Sequence, residues 1–396
     1  MNPTSSTRQA MPDPHRMRGR LMIAVSVALA IVLSAYGLWW LIFARHVEST
    51  DDAYVAGNLV QVTSQVSGTV LSIAADDTEL VRAGMPLIEL DRADAEVALG
   101  QAEAELARTV REVRALFVNN GTLAANVKLR GVEVERARAD LARRQELIAS
   151  GAVSKEDLEH ARHALQRAES ALQEARGQHS ANRALTDRTS VARHPNVQRA
   201  AGQVRARYLA YARTSLPAPV MGYVAKRSVQ VGQHIAAGTP LMSIVPLNAV
   251  WVDANFKEDQ LARMRIGQPV TLQSDLYGSS VVYHGKVSGL AAGTGAAFSL
   301  LPPQNATGNW VKIVQRIPVR IALDQLELQA RPLRIGLSMR VKVDISRDAG
   351  ASLAAGGPAR SAPAYKTTVF DAAGQEADAL VARIVAENAG RAGADL

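Results

Sequence analysis

The sequence predicts an α+β chain with three parts. One N-terminal helix spans a membrane, a long antiparallel α-helical coiled-coil hairpin is inserted in a small β-sandwich, and a β-rich domain follows. Three observations predict it. Residues 21–43 carry no charge, residues 91–213 repeat apolar positions every seven, and two similar β units flank that repeat at a constant offset of 154 positions.

The chain opens with a tail, 1–20, rich in Pro, Ser, Thr and Arg, which has too few apolar residues to build a core. Leu21–Phe43 follows as an uncharged run long enough for a hydrocarbon core of about 30 Å. Trp39 and Trp40 stand near its far end, where interfacial aromatics belong. Arg16, Arg18 and Arg20 precede it, whereas Glu48, Asp51 and Asp52 follow with only Arg45 and His46 between. The positive-inside rule therefore leaves the tail in the cytoplasm and the rest of the chain outside it. A cleaved signal peptide with Ala28-Leu29-Ala30 as its site is the competing reading, but apolar sequence continues well past that point. The expectation is an uncleaved single-pass anchor in a bacterial inner membrane, with the bulk of the chain periplasmic.

Composition fits an exported body. No cysteine is present, so disulfides, thiolate chemistry and cysteine zinc sites are excluded. The net charge of +8 invites a nucleic-acid reading. Its arginines, however, interleave with glutamates along a helical pattern, as in 133-EVERARADLARRQE-146, which describes a solvated helix face. No nucleic-acid partner is expected.

Between 58 and 91, and again between 214 and 247, the chain carries one β unit twice. Val66-Ser67-Gly68-Thr69-Val70 matches Val220-Met221-Gly222-Tyr223-Val224, and Val81–Ile88 matches Ile235–Met242. Gly68, Gly84, Gly222 and Gly238 read as structural turn glycines, the second and fourth within Gly-x-Pro corners. Two half-motifs completing one sandwich explain the constant offset. The unit resembles the lipoyl/biotinyl carrier fold, which in a carrier presents a lysine at a turn. Residues 58–91 contain no lysine and the second copy only Lys226, so a scaffold without cofactor is expected.

The insert, 92–213, carries Leu99, Leu106, Val113, Asn120, Val127, Val134, Leu141 and Ile148 in one heptad frame. A second run has Leu158, Leu165 and Leu172 with Ala161, Ala168 and Ala175 three positions on. The tip falls at about 148–154, where Gly151 can close one helix and Ser154 cap the next. Two arms of roughly 58 residues give a rod of about 85–90 Å. The later seam of Val197, Val204 and Tyr211 is four residues out of phase, so a break is expected near 186–196, with Pro195 opening a new helix. Asn119-Asn120-Gly121 is its expected mate on the ascending arm, and Asn120 a polar seam residue able to fix register.

Beyond the second unit, strands are expected at 250–254, 270–272, 281–283, 317–323 and 339–345, with Pro318 at an edge or strand start. Asn255 three residues before Glu258 predicts a short helix, Phe256–Arg265. Residues 289–309 read as a long membrane-near loop, and 347–396 as a flexible tail with a weak helix near 371–388.

Several of these stretches together resemble the periplasmic membrane fusion (adaptor) proteins of the HlyD superfamily, EmrA type. They are Thr50-Asp51-Asp52-Ala53-Tyr54-Val55, Val66-Ser67-Gly68, Pro217–Val224, Trp251–Glu258 and Asn305–Trp310. The resemblance runs from about residue 20 to 346. It implies that 248–346, with part of 44–57, forms a β-barrel domain. It also implies an adaptor of a tripartite multidrug efflux pump, whose partners are an inner-membrane major-facilitator exporter, a TolC-like outer-membrane channel and further copies of itself as a trimer or hexamer. Arg143, Leu147 and Ser154 fit R-x3-L-x6-S, which in such adaptors marks the tip that meets the channel. An adaptor of an ABC-type secretion system, and a non-transport structural coiled-coil protein of the envelope, are the alternatives. Nothing resembles a catalytic triad, a phosphate-binding loop or a working carboxylate pair, so no enzyme is expected. His160 and His163 with Glu156 and Glu159 have helical metal-binding spacing but no evident inward partners, and no metal is expected.

Overall fold

The structure, a computed structural model, describes residues 14–42, 46–149, 151–294, 297, 314–346, 350–353 and 363–390, without the side chains of 14–21 and 39–42. In chain order, α1 (Pro14–Ile42) is followed by β1 (Val47–Ala56), β2 (Val60–Thr63), β3 (Gly68–Ile73), β4 (Leu80–Val81) and β5 (Pro86–Leu90). Three helices come next, α2 (Ala93–Ile148), α3 (Lys155–Thr186) and α4 (Pro195–Ala212). Then come β6 (Ser215–Pro217), β7 (Gly222–Arg227), β8 (His234–Ile235) and β9 (Pro240–Val245). The last group is β10 (Trp251–Lys257), β11 (Pro269–Ser274), β12 (Val282–Leu290), β13 (Arg316–Leu323), α5 (Gln325–Ala330), β14 (Ser338–Asp344) and α6 (Asp371–Ala389).

The described side chains of α1, from Met22 to Leu38, are all exposed. Among the described residues no helix is long and apolar enough to cross a membrane, and the uncharged run 21–43 extends past those side chains at both ends. Trp39 and Trp40, the tail to residue 13, and Asn305–Trp310 with most of the expected 289–309 loop lie outside the described residues or side chains.

The chain divides into two units, Met1–Val60 with Ile244–Tyr365, and Gln61–Ser243 with Lys366–Leu396. The first holds a closed six-stranded barrel in the order β1-β10-β13-β12-β11-β14. Strand alternation fills it, with Ala53, Val55, Val252, Ala254, Phe256, Val270, Leu272, Tyr283, Val319, Ile321, Met339, Val341 and Val343 all buried. Gly285 is required where β12 meets β13, since a Cβ there would lie 2.6 Å from the Ala322 carbonyl oxygen. One expectation is corrected and another narrowed. Phe256 belongs to β10, and only a 3-10 turn, Gln260–Arg263, follows; burying a Phe in the barrel outweighs a local capping pattern. Pro318 has no edge to occupy in a closed barrel and takes the other expected place, the start of β13 (Arg316–Leu323). Its carbonyl accepts from Ala291 N–H, so its missing donor faces the same side, beyond the last β12 pairing at Leu290.

In the second unit two four-stranded sheets, β2-β9-β7-β4 and β6-β5-β3-β8, form the sandwich. Both mix strands from the two repeated units, so neither repeat is complete alone. Gly84 and Gly238 have φ of 83° and 86° and turn the chain, as expected. Gly68 and Gly222 do not; they open β3 and β7, pairing with Ile235 and Val81. An ion pair across the repeats, Arg227 Nε to Asp76 Oδ1 at 2.8 Å, clasps the halves, and Lys226 lies within β7 rather than at a turn.

The hairpin packs α2 against α3 and then α4. Seam positions Leu99, Leu106, Val113 and Val134 are buried against Leu158, Ala161 and Ala175 or against α4's Val197, Ala200 and Val204. The break lies between Thr186 and Pro195, as the phase slip predicts. His194 caps α4: its Nδ1 accepts from Asn196 N–H at 3.2 Å, so Nε2 carries the proton and faces the Leu185 carbonyl at 3.2 Å. Opposite the break, Asn120 donates to Thr186 Oγ1 (2.8 Å), and Asn182 donates to Asn120 Oδ1 (3.0 Å) and to the Leu116 carbonyl (3.1 Å). Asn119 donates to Asn182 Oδ1 at 3.3 Å. Side-chain amides bonded to one another around the buried Asn182 define a single register.

The helix expected near 371–388 is present, and the flexible tail is corrected only in that this helix is docked. Helix α6 docks on α2 and α4, burying Val381, Ile384 and Ala389 in one cluster with Leu106, Val110, Val197 and Val204. Tyr208 donates to Glu376 Oε2 (2.7 Å), Arg111 to Asn388 Oδ1 (2.6 Å), and Arg205 pairs with Asp378.

Candidate docking site at the hairpin tip

The tip is built by terminating one helix at Ile148 and starting another at Lys155, with six residues in between. Helix α2 ends at Ile148, and Gly151, at φ 73°, reverses the chain while its N–H bonds the Ile148 carbonyl at 3.1 Å. Ser154 then caps α3: its Oγ accepts from Asp157 N–H at 3.0 Å and donates to Asp157 Oδ2 at 2.6 Å. That hydroxyl bond, backed by a hydrogen bond from the Ser154 backbone, holds the Asp157 carboxyl below the usual carboxylate range. Arg144 joins the arms, donating to Asp140 Oδ2 on its own helix (3.0 Å) and to the Asp157 carbonyl across the turn (3.4 Å).

The three residues expected at this site have different surroundings. Arg143 projects outward, its side chain 70% exposed and its guanidinium 3.5 Å from Asp140. Leu147 is 48% exposed, while Ile148 takes the seam position beside it. Ser154 commits its proton and one lone pair to the cap. The tip therefore offers an apolar side chain and a guanidinium on the last turns of α2, over a rigid cap. Nothing in the sequence marks Arg144, because its role depends on a partner across the turn. His160, by contrast, meets Glu156 at 3.6 Å with both side chains exposed, which is a surface helix pair.

A second polar constellation lies on the barrel, where two of the motifs singled out in the sequence meet. A bulge in β1 between Thr50 and Ala53 lets Asp52 accept from Asn255 Nδ2 (3.1 Å) and from Arg316 (2.6 Å). Thr50 Oγ1 donates to the Asn255 carbonyl (2.9 Å), and Glu48 accepts from Gln260 and Arg263 at 3.0 and 2.7 Å. These bonds pin β1 to β10, so both motifs have a structural account. Trp251, next in that motif, is stacked by Arg320 at 3.9 Å and donates to Asp253 at 3.0 Å.

Two family descriptions match this chain: "EMRA, alpha-helical hairpin domain" over residues 93–214, and "AAEA-like beta-barrel domain" over 249–346. The Multidrug export protein EmrA of Escherichia coli (strain K12) is 47% identical over 356 residues, covering 90% of this chain and 91% of that protein. The Fatty acid resistance protein FarA of Neisseria gonorrhoeae is 51% identical over 315 residues, covering 79% and 78%. The Probable multidrug resistance protein EmrK of E. coli (strain K12) is 44% identical over 334 residues, covering 84% and 86%.

Proposed function

The chain belongs to the EmrA-type membrane fusion proteins of the HlyD family, and from that membership we propose that it is the periplasmic adaptor of a tripartite multidrug efflux pump. Helix α1 anchors it in the inner membrane with its N-terminus cytoplasmic. An inner-membrane exporter of the major-facilitator type supplies the transport energy. The hairpin tip docks a TolC-like outer-membrane channel through Arg143 and Leu147, held in place by the Ser154 cap. The reading is supported above all by kinship with a multidrug export protein across nine-tenths of the chain. The half-exposed Leu147, on the last turn of α2 beside the capped turn, agrees with it.

Purification of the tagged chain from native membranes in mild detergent tests this. A major-facilitator exporter and an outer-membrane channel should copurify, and loss of the chain should raise sensitivity to the exported compounds. Recovery of a nucleotide-hydrolysing transporter instead would point to the secretion adaptors, and recovery of no transporter would overturn the assignment.

A further inference from the structure

Helix α2 carries a second apolar stripe on the face turned away from α3. Val118, Thr122, Ala125, Leu129 and Val132 follow alternating four- and three-residue steps, and all are exposed. Val118, Leu129 and Val132 keep 63%, 56% and 63% of their surface open. The seam toward α3 uses Leu116, Asn120, Leu123, Val127 and Val134, about half a helical turn away. Branched aliphatics in regular heptad spacing are what a buried seam looks like.

The stripe continues a surface this chain already covers. Stepping down α2 from Val118 by four and then three residues leads to Arg114 and Arg111. Arg111 bonds Asn388, and Gly390 backs against the Arg114 guanidinium. Helix α6 thus fills the lower part of this flank and stops at Ala389, level with the start of the open part.

The outer face of α3 at the same height is its counterpart. Asn120 reaches Asn182 and Arg138 reaches Glu169, so Leu129, midway between, stands level with Glu174 and Gly177. Ser170, Glu174, Gly177, Ala181 and Ala184 line that outer face, all exposed and nearly all small. Large side chains on one back and small ones on the other allow close approach. No acid lies between Glu112 and Glu133 on α2, where Arg114, Lys128 and Arg130 stand, so Glu174 meets a basic stretch.

We propose that the Val118–Val132 stripe of α2 receives the outer face of α3 from a second copy of this chain. Because the two surfaces differ, each copy has one of each to offer, and repetition closes a ring of hairpins. The inference rests on the adaptor reading for its requirement that several copies surround one axis.

The absence of native cysteine makes a direct test possible. Leu129→Cys combined with Gly177→Cys places a thiol on each face, and a Cβ at Gly177 meets open space. Oxidation in membranes of cells making the whole pump should convert the double variant into a ladder of two, three and more linked copies. Each single variant should stay unlinked. A double variant that stays single while exporter and channel still copurify overturns this face and leaves the adaptor reading intact. Failure of the wild-type chain to bring down either partner overturns the adaptor reading instead. Dimers from Leu129→Cys alone would mean back-to-back pairing and overturn the α3 assignment. As a second measure, Leu129→Glu should abolish amine-reactive cross-linking between copies while helix content stays unchanged. Assembly at the wild-type level by that variant would also overturn the proposal.

Discussion

Leu147 and Ile148 are adjacent, yet one faces solvent and the other the seam, and this separates the proposed docking from folding at the tip. Leu147→Asp should leave helix content, membrane insertion and exporter copurification unchanged while abolishing channel copurification and export, since truncating a docking anchor already costs about 1–2 kcal/mol or more. A fall in helix content, read by circular dichroism, would show Leu147 to be a folding residue. Ser154→Ala acts through the cap and should cost about 1 kcal/mol. Its carboxylate partner adds a pH dependence. Asp157 is held below its unfolded range by the Ser154 hydroxyl, so the support it gives is present above that range and lost as pH falls through the lowered value. Thermal melts of wild type and Ser154→Ala should therefore converge on acidification. At the break, Asn182→Leu leaves the Asn120 amide without its buried partner and should cost about 1–3 kcal/mol. Asn120→Leu added to it should restore much of that loss, because two apolar side chains then face each other. Melting temperatures of the three variants check this.

Among the elements, α6 owes its place to contacts with helices far away in sequence. Tyr208 on α4 donates to Glu376, and that bond, with burial, pushes the phenol up to about 12. A raised folded value means that the bond's contribution is complete below about pH 10 and is lost as pH rises toward 12. Hydrogen exchange of α6 should accelerate across that window, and Tyr208→Phe should accelerate it at neutral pH. The hairpin arms and their break were legible beforehand because heptads repeat many times and a four-residue phase slip survives any single noisy position. The docking of α6 was not, since Val381 and Ile384 make a short stripe whose partners sit on α2 and α4. The helix expected from Phe256 fails to form for a related reason: capping chemistry is local, whereas barrel closure recruits strands from both ends of the chain. At the tip, the turn and the Ser154 cap were readable from spacing, but the Arg144 clasp required the fold.

At the scale of the whole chain, topology is the first expectation. A reporter that fluoresces only in the cytoplasm, fused after Arg347, should stay dark, and a bright fusion would reverse the proposed orientation. The barrel carries a further consequence. Its first strand, β1, pairs with its last, β14, from Val47↔Asp344 to Tyr54↔Ser338, with some 280 residues lying between the two strands. At roughly 5–20 residues per second of synthesis, β1 exists for about 15–60 s before its closing partner has been made. Throughout that interval it presents a raw strand edge, the kind of surface that pairs with the wrong neighbour. The sandwich and hairpin can fold meanwhile, because all their strands and arms are made earlier, apart from α6. On the proposed periplasmic location, the biogenesis of this protein includes a wait with one unguarded strand, and its yield should depend on periplasmic chaperones that hold that strand until β14 arrives.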